Sequence, residues 1–261
     1  MNNIDLNSSM MAPLLKTKLH PSPLKSDIVH RSRLVTRLST GKKNDYKLTL
    51  ISAPAGYGKS TLVTDWLTSE EITYAWFSID ENDNQPKSFF NYLITAIQEI
   101  DKDFATMAKN MLNAPQLPPY NAITALLIQE LNSLPIPLTI VLDDYHYINS
   151  EYIHKAIDYL LKHLPAQIHL VIITRQDPPF PLGRLRARKQ MRELRMKDLR
   201  FTSDETGEFF NKTLKIILDD DSLSILHQRT EGWVSGLQLA GLSLSDCDNN
   251  DQNQFIENFS G

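Results

Sequence analysis

Hydrophobic positions along the chain follow two different periods. Near-continuous apolar runs, rich in β-branched and aromatic residues, occupy 47–52, 74–79, 138–142 and 168–173. Runs of this kind predict short strands buried on both faces, as a parallel sheet requires. Helical spacing fills the segments between them. It is clear over 60–67, in the series Phe89, Phe90, Leu93, Ile94, Ile97 and Ile100, and over 121–133. Upstream, 27–39 reads as a short helix with Val29, Leu34, Val35 and Leu38 on one side. A fifth, weaker strand is expected within 193–201. Thr202 followed by Glu205 then forms a capping box, after which helices are expected at 203–212, 222–229 and 232–245.

Strands alternating with helices predict an α/β fold: a five-stranded parallel sheet flanked by helices, followed by a small all-helical appendage. The divisions expected are a polar, Asn-rich, disordered tail over 1–14, a sheet domain over 15–201 and the start of a helical domain over 202–261. No internal repeat is evident.

The strongest chemical pattern is Ala53-Pro54-Ala55-Gly56-Tyr57-Gly58-Lys59-Ser60-Thr61. It fits a phosphate-binding loop with Ala in place of the first Gly, and it follows a predicted strand and opens a predicted helix. Gly56 and Gly58 permit the dihedrals that turn successive N–H groups inward at a helix N-terminus. Lys59 supplies a mobile positive charge for β- and γ-phosphates, and the Ser60 hydroxyl can reach Mg²⁺. Asp143 ends the third strand, where a carboxylate can hold the metal, and Asp144 is the candidate to orient or deprotonate an attacking water. Arg175, following Thr174 at the end of the fourth strand, lies where an α/β sheet binds its ligands and can sense a γ-phosphate.

Composition narrows these readings. The 261 residues, 41% hydrophobic and 22% charged, suit one large domain or a domain with an appendage. A single cysteine, Cys247, excludes an intramolecular disulfide and has no evident base beside it. No apolar run approaches the roughly 20 residues that span a bilayer, and the first residues lack the pattern of a secretory signal. The expected setting is therefore cytoplasmic. The seven histidines show no metal-ligand spacing, and no Asn-Lys-x-Asp tetrad supports a preference for GTP.

Charge is uneven: net +6 over 1–47, −8 over 48–174, +6 over 175–200 and −8 over 201–261. Two basic segments can bind nucleic acid or converge on a polyanionic small ligand. The cluster Arg184, Arg186, Arg188, Lys189 and Arg192 reads as a solvated face rather than a DNA surface.

In their order these motifs resemble the N-terminal ATPase module of the large LuxR-type, maltose-regulon-activator-like regulators, members of the STAND class of signal-transduction ATPases. The resemblance rests on Lys16-Thr17-Lys18-Leu19, Val29-His30-Arg31-Ser32-Arg33-Leu34, the phosphate loop from Ser52 to Ser60, and Trp76-Phe77-Ser78-Ile79-Asp80 with Asp83-Asn84. It continues in Leu142-Asp143-Asp144-Tyr145-His146, Thr174-Arg175, Asp177-Pro178-Pro179 and Arg229-Thr230-Glu231-Gly232-Trp233-Val234-Ser235-Gly236-Leu237. It spans roughly 15–261.

The resemblance implies a Mg·ATP switch exchanging ATP and ADP, self-association of the full-length protein in the ATP-bound state, and DNA contact only through a C-terminal domain outside this chain. It also implies that Arg31 lies near the nucleotide, while Val234 stands where many STAND relatives carry a Pro near the base. The last residues look like the middle of a family segment. The competing expectations are a stand-alone ATP-hydrolysing enzyme, for phosphoryl transfer or remodelling, and a nucleic-acid module.

Overall fold

The computed structural model describes residues 14–43, 46–246, 252, 255, 256 and 259. The expected tail over 1–13 and Cys247 lie outside the described residues. Leu14, expected at the end of that tail, packs against the sheet's core.

Five strands form one parallel sheet: β1 (Leu48–Ser52), β2 (Tyr74–Ser78), β3 (Leu138–Asp143), β4 (Ile168–Thr174) and β5 (Met191–Arg195), in the order β2-β3-β4-β1-β5. Each neighbouring pair is parallel, with Ser52 opposite Thr174 and Arg195, and Ser78 opposite Asp143. The strand C-termini therefore share one edge, and the segments that follow β1, β3 and β4 meet there. This edge is where an open α/β sheet binds ligands.

Helices cover both faces. α1 (Ser32–Lys43) and α2 (Lys59–Ser69) pack on one side, where Leu34, Leu38, Leu62 and Trp66 meet Ile51, Val141, Val171 and Ile173. The opposite face of the same strands, including Leu48, Leu50, Leu142 and Leu170, is covered by α3 (Pro86–Gln98), α4 (Thr106–Leu112), α5 (Tyr120–Ser133) and α6 (Glu151–His163). Alternate residues of a strand point to opposite faces, so both must be apolar when both are covered. Before β5 the chain makes a short turn of helix, α7 (Gly183–Ala187).

Beyond β5 come α8 (Met196–Leu199), α9 (Ser203–Glu208), α10 (Asp220–Thr230) and α11 (Val234–Ser245). The last three enclose a small separate core containing Phe210, Leu226, Leu237, Ala240 and Leu244.

Several boundaries differ from expectation. The first helix starts at Ser32 and not at 27, and Val29 joins the appendage core instead of a helix face. Just ahead of that start, the Arg31 side chain reaches the carbonyls of Leu199 (2.8 Å) and Arg200 (3.0 Å). The fifth strand ends at Arg195, where Asp198 Oδ2 accepts the Arg195 N–H at 2.8 Å and turns the chain into α8. The helix expected over 203–212 is α-helical only to Glu208, and Phe209–Leu214 is π-helical. Helices α4 and α6 are present in addition to those expected from the spacing. The capping box is present, with Glu205 N donating to Thr202 Oγ1 (3.2 Å) and Thr202 N to Glu205 Oε2 (3.0 Å).

Candidate functional site

The segment 53–58 links β1 to α2 at the shared edge. Gly56 and Gly58 have φ of +80° and +67°, a region that favours glycine. Gly58 is the N-cap of α2 and no side chain caps that helix. Its first N–H groups are thus left without an intrahelical partner, at the positive end of the helix dipole.

Lys59 is largely buried, and its Nζ donates to Pro54 O at 2.8 Å. Burial lowers its pKa more than the nearby Asp144 and Asp143 charges raise it. Ser60 Oγ donates to Asp143 Oδ1 at 3.0 Å. Thus the loop after β1 and the end of β3 meet, although β4 lies between the two strands in the sheet. Asp143 is 6% exposed. Burial, then the Asp144 charge, pushes its carboxyl up to about 6, against the opposing hydrogen bond from Ser60. A buried carboxylate with no cation bonded to it is costly, and carboxylate and hydroxyl oxygens are the donors that Mg²⁺ prefers. Among the described residues, no three His, Cys, Asp or Glu side chains are grouped so as to hold a metal on their own.

Asp144 adopts φ +56°, its N–H donating to Asp143 Oδ1 at 2.9 Å. Arg175 is exposed just beyond β4, close enough for its charge to act on Lys59 and His146. His146 was not singled out as a site residue. Its Nδ1 lies 3.7 Å from Asp144 Oδ1, too far for a hydrogen bond, and both ring nitrogens are buried without a partner. Burial lowers its pKa, which keeps the ring neutral near pH 7.

Next to this loop lies a cavity of about 170 Å³, lined among others by Val29, Arg31, Gly58, Thr61, Phe201 and Val234. Arg31 is 5% exposed and stacks 4.8 Å from the Phe201 ring. Its Nε and Nη2 are committed to Glu205 (3.5 and 3.4 Å) and to the two carbonyls of Leu199 and Arg200, while Nη1 is buried without a partner. The guanidinium is therefore committed to the 199–205 segment, with only Nη1 unpartnered. A roomier cavity of about 580 Å³ lies between α6 and residues 176–181 and includes none of the phosphate loop.

The appendage approaches the phosphate loop closely, a proximity that no local sequence pattern signals. Trp233 Nε1 donates to Ala55 O at 3.1 Å, and Ser235 N donates to Gly56 O at 3.1 Å. The run containing Gly232-Trp233-Val234-Ser235 was visible as a motif, but only folding brings it to residue 55. The basic cluster after β4 has local acidic partners: Arg184 pairs with Asp158, and Arg186 with Glu193 and Asp177. Among the described residues no helix is long and apolar enough to cross a membrane.

Comparison with known proteins adds ancestry to this geometry. No family model matches the chain. It is 38% identical over 230 residues to the HTH-type transcriptional regulator MalT of Yersinia enterocolitica, a match covering 88% of this chain and 25% of the relative. MalT of Yersinia pestis is also 38% identical, over 231 residues. The chain thus spans about a quarter of the length of these relatives. Among solved structures, the Walker-type ATPase PABY2304 of Pyrococcus abyssi superposes with a TM-score of 0.55 at 15% identity, covering 93% of this chain and 74% of that one. Cdc6p of Pyrobaculum aerophilum gives 0.54 at 14% identity, covering 92% and 66%. At such identities these two show the fold alone. The chain is a homologue of the MalT-type transcriptional regulators over a segment that folds as a P-loop ATPase module.

Proposed function

We propose that this module binds Mg·ATP and exchanges it for ADP as the switch of a MalT-type transcriptional regulator. The observation carrying this reading is the 3.0 Å hydrogen bond from Ser60 to the buried Asp143, beside Lys59 and the uncapped start of α2. The backbone from Ala53 to Thr61 cradles the phosphates. Lys59 leaves the Pro54 carbonyl to pair with β- and γ-phosphate oxygens. Ser60 and Asp143 are the groups that would hold Mg²⁺, which would supply positive charge to offset that of the phosphates.

Asp144 orients water on the γ side, and Arg175 senses the γ-phosphate from the end of β4. The adenine base enters the cavity beside Gly58, against Phe201, Val234 and the unpartnered Nη1 of Arg31. In the full-length protein the ATP state favours self-association, and DNA is contacted by a C-terminal domain outside this chain. The setting is cytoplasmic.

Calorimetry on the Lys59→Ala variant tests the site, with binding of Mg·ATP expected to be lost. Unchanged affinity would refute it. A switch turns over slowly, so steady-state hydrolysis is expected well below one per second, against the roughly 1–100 per second of kinases.

A further inference from the structure

The indole of Trp233 performs a task that the nucleotide site alone does not explain. It belongs to the appendage, yet its N–H is spent on a carbonyl of the phosphate loop, at Ala55. Two residues on, the Ser235 backbone N–H takes the next carbonyl, at Gly56. Consecutive peptide units of the loop are therefore each held by one donor from the appendage. The approach is close: a Cβ built on Gly56 would lie 2.7 Å from Trp233 Nε1 and closer still to Ser235 Oγ. The same construction on Gly58 meets nothing within 4 Å. Gly56 is thus constrained by the appendage as well as by its dihedrals, whereas Gly58 answers to its dihedrals alone.

A trans peptide is planar, and its C=O and N–H point in opposite directions. Donors that pull the Ala55 and Gly56 carbonyls toward the appendage therefore turn the N–H groups of Gly56 and Tyr57 away from it. Those are amides that a phosphate nest of this loop must present to an anion. Resting on the nucleotide reading above, we propose that Trp233, with the backbone of Ser235, is a positioning residue of the phosphate site. It sets the peptide planes whose amides receive the anion. Linkage makes the effect reciprocal: phosphate in the nest tightens the hold of the appendage on the loop by the same factor.

Gly232 fixes where this contact falls. Its φ is +71°, it accepts the Phe201 N–H at 2.9 Å, and a Cβ there would press on the Phe201 backbone. The end of the sheet module thus positions the segment that in turn grips the loop.

The test uses two probes, Mg·ATP and inorganic tripolyphosphate, titrated calorimetrically into the 261-residue chain and its Trp233→Phe variant. Phenylalanine keeps a ring but removes the donor. Both probes are expected to bind about 3- to 10-fold more weakly, as loss of one hydrogen bond implies, and by a common factor because the effect is on the phosphates. A spectroscopic readout separates positioning from simple packing. The other indoles donate elsewhere, Trp66 to Ser39 Oγ and Trp76 to Ser78 Oγ. Of the three indole N–H resonances in the unsubstituted chain, that of Trp233 is expected to shift most when tripolyphosphate is added.

Wild-type affinity of Trp233→Phe for both probes overturns the proposal, as does an unmoved Trp233 resonance. Weakening of ATP alone also overturns it, since that would place the effect at the base. If the unsubstituted chain binds neither probe, the nucleotide reading falls and this inference with it. Should Trp233→Phe fail to fold, Gly232→Ala serves instead. It alters no phosphate-loop atom but displaces the 232–235 segment, and it is expected to weaken tripolyphosphate at least as much. Unchanged tripolyphosphate affinity in a folded Gly232→Ala chain sinks the idea.

Discussion

In the sheet module, Leu50, Phe77, Val141 and Ile172 are fully buried between helices on either face, whereas the appendage meets that module along a seam, both through Val29 and Phe201, which enter its apolar core, and through a few directed polar bonds. Arg31 and Arg33 converge on Glu205, and Trp233 and Ser235 grip the phosphate loop. Hydrophobic burial scales with area and is indifferent to direction. It gives the sheet its stability without privileging any one contact. The polar part of the seam depends on a few geometric bonds, so a small change at one of them can alter how the two parts are joined. For a module proposed to switch, that places the adjustable joint beside the ligand.

The largest expected effect separates the two cores. Phe77→Ala, which removes a ring stacked on Tyr92 at 5.1 Å, should cost about 3–5 kcal/mol and lower the whole denaturant transition. Leu237→Ala in the appendage should cost about 2–5 kcal/mol, seen as lost amide protection over 203–245 with the sheet amides still protected. If both variants lose protection everywhere alike, the chain has one cooperative unit and the contrast fails.

This contrast also governs what could be read in the sequence. The strands were legible because residues buried on both faces leave an apolar run, and the phosphate loop because its glycines and Lys59 occupy a short fixed spacing. Glu205 was legible as half of a capping box. Its second role, accepting from Arg33 across 172 residues of sequence, left no local trace. The same holds for Trp233 against Ala55. Arg31 is a different case: helical spacing reads from 27, but α1 starts only at Ser32, and the Arg31 guanidinium bonds to the carbonyls of Leu199 and Arg200, far along the chain. Helix α6 does carry a legible apolar face in Ile153, Ile157, Leu160 and Leu161.

Next in size is the break at Glu205. Burial pushes its carboxyl up, but the Arg33 hydrogen bond, the Arg31 charge and the Thr202 N–H outweigh that and hold it below the usual range. A carboxyl lowered on folding adds stability above its unfolded pKa, and that stability is lost as pH falls through the folded value. The appendage should therefore loosen as pH drops below the ordinary glutamate range near 4.5, seen as faster amide exchange in 203–245. Glu205→Gln should cost about 1.5–3 kcal/mol at pH 7 and reduce this region's acid sensitivity to what Asp219, held low by the Ser222 N–H at the start of α10, still supplies. An acid response undiminished in Glu205→Gln assigns it to another group.

A smaller comparison uses the two loop glycines. Ala at Gly58 faces open space and pays only for its left-handed dihedrals, about 1–2 kcal/mol. Ala at Gly56 pays that and also meets Ser235 and Trp233. Thermal midpoints should fall further for Gly56→Ala than for Gly58→Ala, and equal shifts would mean that the appendage does not bear on the loop.

The smallest effect expected is at Thr202, where the two parts join. Its hydroxyl accepts the Glu205 N–H at 3.2 Å and so satisfies one free donor of α9. Thr202→Ala should cost about 1 kcal/mol. The capping interaction is local, but Glu205 also belongs to the seam. Loss of the Thr202 hydroxyl therefore frees the Glu205 backbone while leaving its carboxylate on Arg33. If the seam is held by side-chain charge, Thr202→Ala should destabilise α9 while tripolyphosphate affinity stays at the unsubstituted value. A parallel loss of affinity would show that the start of α9, and not only the Trp233 contact, controls the phosphate loop.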